Sequence, residues 1–256
     1  MMIHHSARFA VLLCAAATLA ACASPDGVRE PDAASRMRVA ATAEAGGQTD
    51  VALSMYGAAA ARDPNNGEAQ ARFAAALMRA GNRTQAEQVL AAAVERRPND
   101  RRLILELAKM RLRSGQAGEA LGLFDRVLAG DSRNVAALDG RGVALDLMGR
   151  HPEAQDSYRR AQAVSPDSVS VANNLGLSLL LDGRADEARA VLEPLARRSD
   201  ANQRVTANYA ISLAATGDEA AARNVLGSED VDLRGVAEVL RVNRQVIEVT
   251  PAGGRS

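Results

Sequence analysis

Aromatic side chains are scarce in this chain of 256 residues. Tryptophan is absent, and tyrosine and phenylalanine occur three times each. This composition disfavours a core built on a β-sheet, because strands favour β-branched and aromatic residues. A core of alanine, leucine and valine suits closely packed helix pairs instead. The same scarcity leaves no aromatic side chains for a platform on which nucleic-acid bases stack.

The chain also lacks an excess of charge of either sign. It contains 31 basic and 31 acidic residues, and Lys109 is its single lysine. Acidic residues are interspersed with the arginines throughout, so no basic stripe of the kind that a phosphate backbone requires is visible. The sequence therefore predicts no nucleic-acid partner.

Side chains suited to catalysis or metal binding are equally few. Cys14 and Cys22 are the two cysteines, and His151 is the one histidine beyond the first five residues. His151 lies at a predicted turn, is expected to be solvated, and cannot form a metal site alone. Asp139 and Asp146 lie on one helix face, but acid–base catalysis would need both in a dry cleft. We therefore predict no enzyme, no cofactor, no metal and no small-molecule substrate.

Residues 1–21 have the features of a secretory signal peptide. Arg8 precedes an apolar stretch, 9–17, which is too short to span a bilayer. The sequence Leu-Ala-Ala-Cys at 19–22 resembles the lipobox of bacterial lipoproteins, in which a peptidase cuts just before the cysteine. The resemblance implies that Cys22 becomes the acylated N-terminus. The alternative is an ordinary signal peptide with an incidental cysteine.

The residue after Cys22 bears on the choice of membrane. In the enterobacterial sorting rule an aspartate at that position retains a lipoprotein in the inner membrane. Ala23 stands there instead, which implies the outer membrane, with the chain facing the periplasm. Residues 22–35 are polar, contain two prolines and are expected to form a flexible tether.

Six glycines recur at one constant interval, and an alanine follows each of them five residues later. The glycines are about 34 residues apart, and a period of this length is the signature of a solenoid built from helical hairpins. Glycine readily adopts the left-handed conformation that ends a helix, so each glycine is predicted to end the first helix of a hairpin. The glycines are Gly47, Gly81, Gly115, Gly149, Gly183 and Gly217, and the alanines are Ala52, Ala86, Ala120, Ala154, Ala188 and Ala222.

The repeat resembles the tetratricopeptide (TPR) consensus when units of this length are numbered from residue 33. Small residues occupy positions 8 and 20 of each unit, where the two helices of a hairpin approach each other. Tyr56, Phe124 and Tyr158 occupy a core position of the consensus. The resemblance implies an all-α fold, a right-handed TPR superhelix of about six hairpins, over residues 36–230.

The end of the chain departs from the repeat. Residues 231–248 contain apolar residues with helical periodicity, and we expect a terminal helix there. A stack of repeats needs an end that hides its last apolar face, so this helix is predicted to cap the solenoid. Residues 249–256 are predicted to form a disordered tail.

In TPR arrays the first helices line a concave face, and positions 2, 5, 9, 12 and 13 point into it. The resemblance predicts a groove that is basic in the third repeat, acidic in the fourth and mainly apolar beyond. Either a partner helix or the chain's own terminal helix covers the apolar strip, since exposed apolar grooves are unusual. Asn173 is expected to bind a peptide backbone, and Asn174 and Asn208 to support their hairpins. The predicted groove residues are Arg102, Lys109, Arg113, Asp139, Val143, Asp146, Asn173, Leu177, Leu181 and Ile211, with Leu147 on the same face.

Residues 174–184 and 204–214, together with Ala188 and residues 192–196, resemble the last repeats of TadD-type lipoproteins. Those proteins belong to the tight-adherence (Tad) secretion system, which assembles Flp pili. The resemblance implies a pilotin-like scaffold that binds the outer-membrane secretin or pilus assembly components. The alternative is a TPR lipoprotein adaptor for other envelope assembly, such as outer-membrane protein insertion or peptidoglycan synthesis.

Overall fold

The computed structural model describes residues 32–226, and every regular element within that range is an α-helix. Each helix packs against the next one in the chain, and the helices form six consecutive hairpins. The helices are α1 (Ala33–Ala45), α2 (Thr49–Arg62), α3 (Gly67–Arg79), α4 (Arg83–Arg96), α5 (Arg101–Arg113), α6 (Ala117–Gly130), α7 (Val135–Leu147), α8 (His151–Val164), α9 (Val169–Leu181), α10 (Ala185–Ala196), α11 (Gln203–Ala215) and α12 (Glu219–Leu226).

The first helix of each hairpin begins at a side-chain cap. Asp32 caps α1, with 2.7 Å between its Oδ1 and the backbone nitrogen of Ser35. The other five caps recur at the same interval as the glycines, and each accepts a hydrogen bond from the backbone N–H three residues further on. Such caps satisfy backbone donors that a helix start leaves without a partner. They are Asn66, Asp100, Asn134, Ser168 and Asn202.

The predicted glycine ends the first helix of every hairpin in the left-handed conformation. The φ angles of the six glycines lie between 72° and 90°, a region that glycine enters without steric cost. The chain reverses at this point, and the second helix begins four residues after the first one ends.

The small residues at positions 8 and 20 are buried where the two helices of each hairpin meet, as predicted. In the fourth and fifth hairpins the contact is too close for any side chain. A β-carbon added to Gly176 would lie 2.5 Å from Cγ of Leu192, and one added to Gly142 would lie 2.6 Å from Cζ of Tyr158. Glycine therefore sets the helix spacing at these two positions.

The core runs through the whole stack, and it contains the aromatic side chains predicted for it. Tyr56, Phe124 and Tyr158 are each 1% exposed. Phe124 of α6 packs directly on Gly140 of α7, so an aromatic ring also joins two successive hairpins.

The first helices form the inner layer of the stack. Each of α3, α5, α7 and α9 contacts the first helix of the next hairpin, whereas neighbouring second helices in the described chain have no comparable contacts. Closer spacing on one side curves a stack of repeats towards that side. The first helices therefore line the concave face, and the fold is the predicted TPR superhelix.

The predicted signal peptide, Cys22, most of the tether, the capping helix and the tail lie outside the described residues. At the N-terminal side, α1 begins at Ala33, three residues before the predicted start of the solenoid. At the C-terminal side, α12 is described as far as Leu226, the last described residue. Among the helices of residues 32–226, none is long and apolar enough to cross a membrane.

Candidate functional site

An apolar row runs along the concave face from the fourth hairpin to the sixth. Leu147 is 61% exposed and Leu177 is 36% exposed. Val143, Leu181 and Ile211 are half-buried. All five occupy repeat positions 9 and 13, and side chains four residues apart on a helix lie on the same face. The structure thus places these five residues, named from the sequence, on one surface.

Basic side chains line the same face in the third hairpin. Arg102 forms an ion pair of 3.0 Å with Glu68 of the preceding hairpin, and Lys109 forms one of 2.9 Å with Glu106. The hydrogen bond from Arg102 lowers the pKa of Glu68, so this pair is charged at neutral pH. Arg113 is exposed and forms no ion pair with any residue of the described chain.

A cavity of about 210 Å³ opens beside Arg113, between α3 and α5. Ala71 and Ala75 line it together with Met78 and Met110. This cavity was not predicted from the sequence. The feature of the sequence that could have indicated it is the pair of alanines at positions 5 and 9 of the second repeat, since the third repeat has larger side chains at these positions.

Side-chain hydrogen bonds join position 6 of one repeat to position 5 of the preceding repeat. Asn174 donates from Nδ2 to Oδ1 of Asp139 at 2.9 Å, and Asn208 donates to Oδ1 of Asn173 at 3.0 Å. Burial raises the pKa of Asp139. Asn173 is buried, so its side-chain oxygen is used within the solenoid rather than presented to a peptide. Asn174 and Asn208 join neighbouring hairpins, whereas the prediction placed their support within one hairpin.

Asp146 lies in a polar cluster between the fourth and fifth hairpins rather than in the open groove. Its Oδ1 accepts a hydrogen bond of 2.7 Å from Ser178 and lies 2.9 Å from Nδ1 of His151. Its Oδ2 accepts a hydrogen bond of 3.0 Å from Tyr158. Burial raises the pKa of the Tyr158 hydroxyl, which therefore stays protonated and donates. The carboxylate thus links α7 to both α8 and α9.

The expectation of a solvated His151 is wrong. His151 is the first residue of α8 and is buried beside Asp146. The other members of the cluster, Tyr158 and Ser178, lie 12 and 32 residues from Asp146 along the chain. Tyr158 belongs to the same hairpin as Asp146, whereas the stacking of the fifth hairpin on the fourth brings Ser178 to it.

The groove therefore has two parts that differ in chemistry. We call Arg102, Lys109 and Arg113 the basic half, and the apolar row the apolar half. Both carboxylates of the predicted acidic region are hydrogen-bonded within the solenoid. Within residues 32–226, no group of three His, Cys, Asp or Glu side chains is placed to hold a metal ion.

Models of the tetratricopeptide repeat match most of the solenoid. The matched residues are 43–109, 105–169 and 141–203. Together they span residues 43–203, which is more than half of the chain.

Solved TPR structures share this fold. A tetratricopeptide repeat protein from Parabacteroides merdae aligns with 85% of this chain and 86% of its own, with a TM-score of 0.67 and 14% identity. A thermophilic TPR protein from Thermus thermophilus aligns with 71% of this chain and 99% of its own, with a TM-score of 0.58 and 21% identity. At these identities the similarity concerns the fold alone.

A curated relative matches a shorter stretch. The uncharacterized protein y4yS of Sinorhizobium fredii is 36% identical over 64 residues, which make up 25% of this chain and 35% of that protein. The match therefore spans about a third of the length of this relative.

Proposed function

Because the chain belongs to the tetratricopeptide repeat family, we propose that it is a lipid-anchored scaffold that binds a protein partner in its concave groove. Solenoids of stacked repeats offer extended concave surfaces to other proteins. The observation that carries the proposal is the apolar half of the groove, where Leu147 and Leu177 are exposed. Apolar side chains that share one face of a groove support an interaction site there.

The proposed anchor is Cys22, on the strength of the lipobox-like residues 19–22. Each buried methylene of an acyl chain adds about 0.8 kcal/mol of membrane affinity, so several chains would hold the protein firmly. Ala23 after the cysteine supports the outer membrane, with the solenoid in the periplasm. A tethered groove would meet membrane partners at a raised effective concentration.

The proposed role is that of a pilotin in Flp pilus assembly by the Tad system. Its support is the resemblance of residues 174–184 and 204–214 to TadD-type lipoproteins. These two ranges include most of α9 and α11, which carry Leu177, Leu181 and Ile211 of the apolar half. The partners would be the outer-membrane secretin or pilus assembly components.

The test compares Leu177→Glu in the groove with Val51→Glu on the second helix α2. Val51 is 43% exposed, close to the exposure of Leu177, and therefore provides a matched control. Cells that produce the full chain are crosslinked, the protein is isolated from their membranes, and captured secretin and pilus components are quantified. Circular dichroism of each purified variant reports helical content.

We expect Leu177→Glu to lose partner capture and to keep its helical content, because the new charge would be desolvated in the contact. Val51→Glu should keep both. Undiminished capture by Leu177→Glu would contradict groove binding. Capture of an outer-membrane insertion or peptidoglycan synthesis component, in place of the secretin, would instead favour the adaptor role.

A further inference from the structure

The charge of the inner helices changes abruptly along the groove. Three of the five basic residues of α5 form the basic half, because Arg101 bonds to the Gly130 carbonyl and Arg111 pairs with glutamates of α4 and α6. The helix α9 contains no charged residue. Both helices line the concave face, with α7 between them. A segment lying along the groove would therefore meet cations in the third hairpin and apolar side chains from the fourth hairpin onwards.

The cations of the basic half are available to a ligand. Arg102 and Lys109 have ion pairs with Glu68 and Glu106, but all four side chains are between 36% and 52% exposed. Ion pairs at such exposure contribute little, so a carboxylate of a partner can compete for them. Arg113 has no ion-pair partner within the described chain.

The cavity beside Arg113 has a mixed lining, because Glu106 and Arg113 border it as well as apolar side chains. Ala71, Ala75 and Met78 of α3 and Met110 of α5 line this cavity of about 210 Å³. A carboxylate bound by Arg113 would therefore sit next to space for an apolar side chain.

We infer that the groove binds a segment in which acidic residues at one end are followed by a row of apolar residues. The acidic end contacts Lys109 and Arg113, and the apolar end contacts Leu147 and Leu177. The electrostatic complementarity fixes the direction in which the segment lies. This inference rests on the proposed function, since it specifies the chemistry of the partner that the groove takes.

The acidic residues that follow α12 most closely do not reach the basic half. They are Glu229, Asp230 and Asp232, which follow Leu226 within six residues. Six residues reach at most about 22 Å. The helices α7 and α9 lie between α11 and α5, and the three helix-to-helix spacings of about 8–10 Å amount to about 24–30 Å. These three acids therefore fall short of the basic half, and we assign the segment to a separate protein.

The test uses two synthetic peptides of equal length with the same leucine- and alanine-rich half. The other half contains glutamates in one peptide and lysines in the second. Each peptide carries a fluorophore, and its affinity for the full chain in detergent micelles is measured by anisotropy. We expect the glutamate peptide to bind at least about tenfold more tightly, and raised salt to reduce the difference.

Charge reversal provides the decisive comparison. Lys109→Glu with Arg113→Glu should invert the preference so that the lysine peptide binds more tightly, and Arg113→Glu alone should have an intermediate effect. Arg133→Glu, in the exposed turn before α7, is the matched control and should change nothing. Circular dichroism confirms that each variant is folded.

Three results would overturn the inference. They are failure of both peptides to bind, equal affinities for the two peptides, and a preference that the charge reversal leaves unchanged. Binding that appears only after removal of residues 227–256 would show that the chain's own end occupies the groove. If the reversal has no effect while Leu177→Glu still abolishes partner capture, the proposed function stands and the inferred segment chemistry is wrong.

Discussion

Replacing Gly142 by alanine should destabilise the solenoid, although alanine is the better helix former. Gly142 lies inside α7, and an added β-carbon would lie 2.6 Å from Cζ of Tyr158. The Tyr158 ring is fully buried, and its hydroxyl donates a hydrogen bond to Asp146. The ring cannot move aside without weakening that bond, so the two helices of the hairpin must separate.

Two opposing effects set the size of the change. Alanine in place of glycine within a helix is favourable by roughly 0.5–1 kcal/mol. Overpacking typically costs about 1–3 kcal/mol, and a weakened hydrogen bond costs about 0.5–1.5 kcal/mol more. The packing cost exceeds the gain, and we expect the free energy of unfolding to fall by about 0.5–4 kcal/mol.

Gly122→Ala in α6 is the matched control, because no atom lies within 4 Å of a β-carbon added there. Only the helix-forming advantage applies, so this variant should gain about 0.5–1 kcal/mol. Urea unfolding of both variants, followed by circular dichroism, measures the two changes. The reasoning is refuted if Gly142→Ala is as stable as Gly122→Ala.

Three further predictions concern a buried carboxylate, a helix cap and the lipid anchor. Burial raises the folded pKa of Asp139 above its unfolded value, so the stability from this group is present at low pH and lost as the pH rises through the folded pKa. Asp139→Asn should therefore raise the melting temperature near pH 7, and its melting temperature should equal that of wild type below about pH 4. An asparagine fits this position because Asn173 already accepts the equivalent hydrogen bond in the next repeat. A lower melting temperature than wild type at pH 7 would contradict this prediction. Asn134→Ala should cost about 1 kcal/mol in urea unfolding, because it removes the cap of α7; an unchanged midpoint would argue against the cap. Cys22→Ser should release the protein from membranes in cell fractionation, and continued membrane association would count against acylation.

The hairpin architecture could be predicted because each of its structural requirements selects a particular kind of residue, and that residue recurs at a fixed interval. A helix end that needs a positive φ selects glycine, and a close helix contact selects alanine or glycine. Both signals recur once in every repeat. The caps at Asn66, Asp100 and Asn134 follow the same interval and could have been predicted in the same way.

The polar contacts could not be predicted, because repeat position specifies a face but not a hydrogen-bond partner. Asp146 occupies a groove position, yet its partners Tyr158 and Ser178 belong to other helices. Asn173 likewise bonds to Asn208, 35 residues away. Such pairs depend on the rotation and spacing of adjacent helices, which the residue pattern alone does not determine.

Site-specific photocrosslinking in membranes tests most directly whether the concave face binds a partner. One full-length variant carries the photoreactive residue in place of Leu177, and the other carries it in place of Asp156, whose side chain on α8 is 76% exposed. Groove binding predicts crosslinks to a separate protein from position 177 and none from position 156. Equal crosslinking from both positions, or crosslinks from position 177 only to residues 231–248 of the same chain, would contradict it.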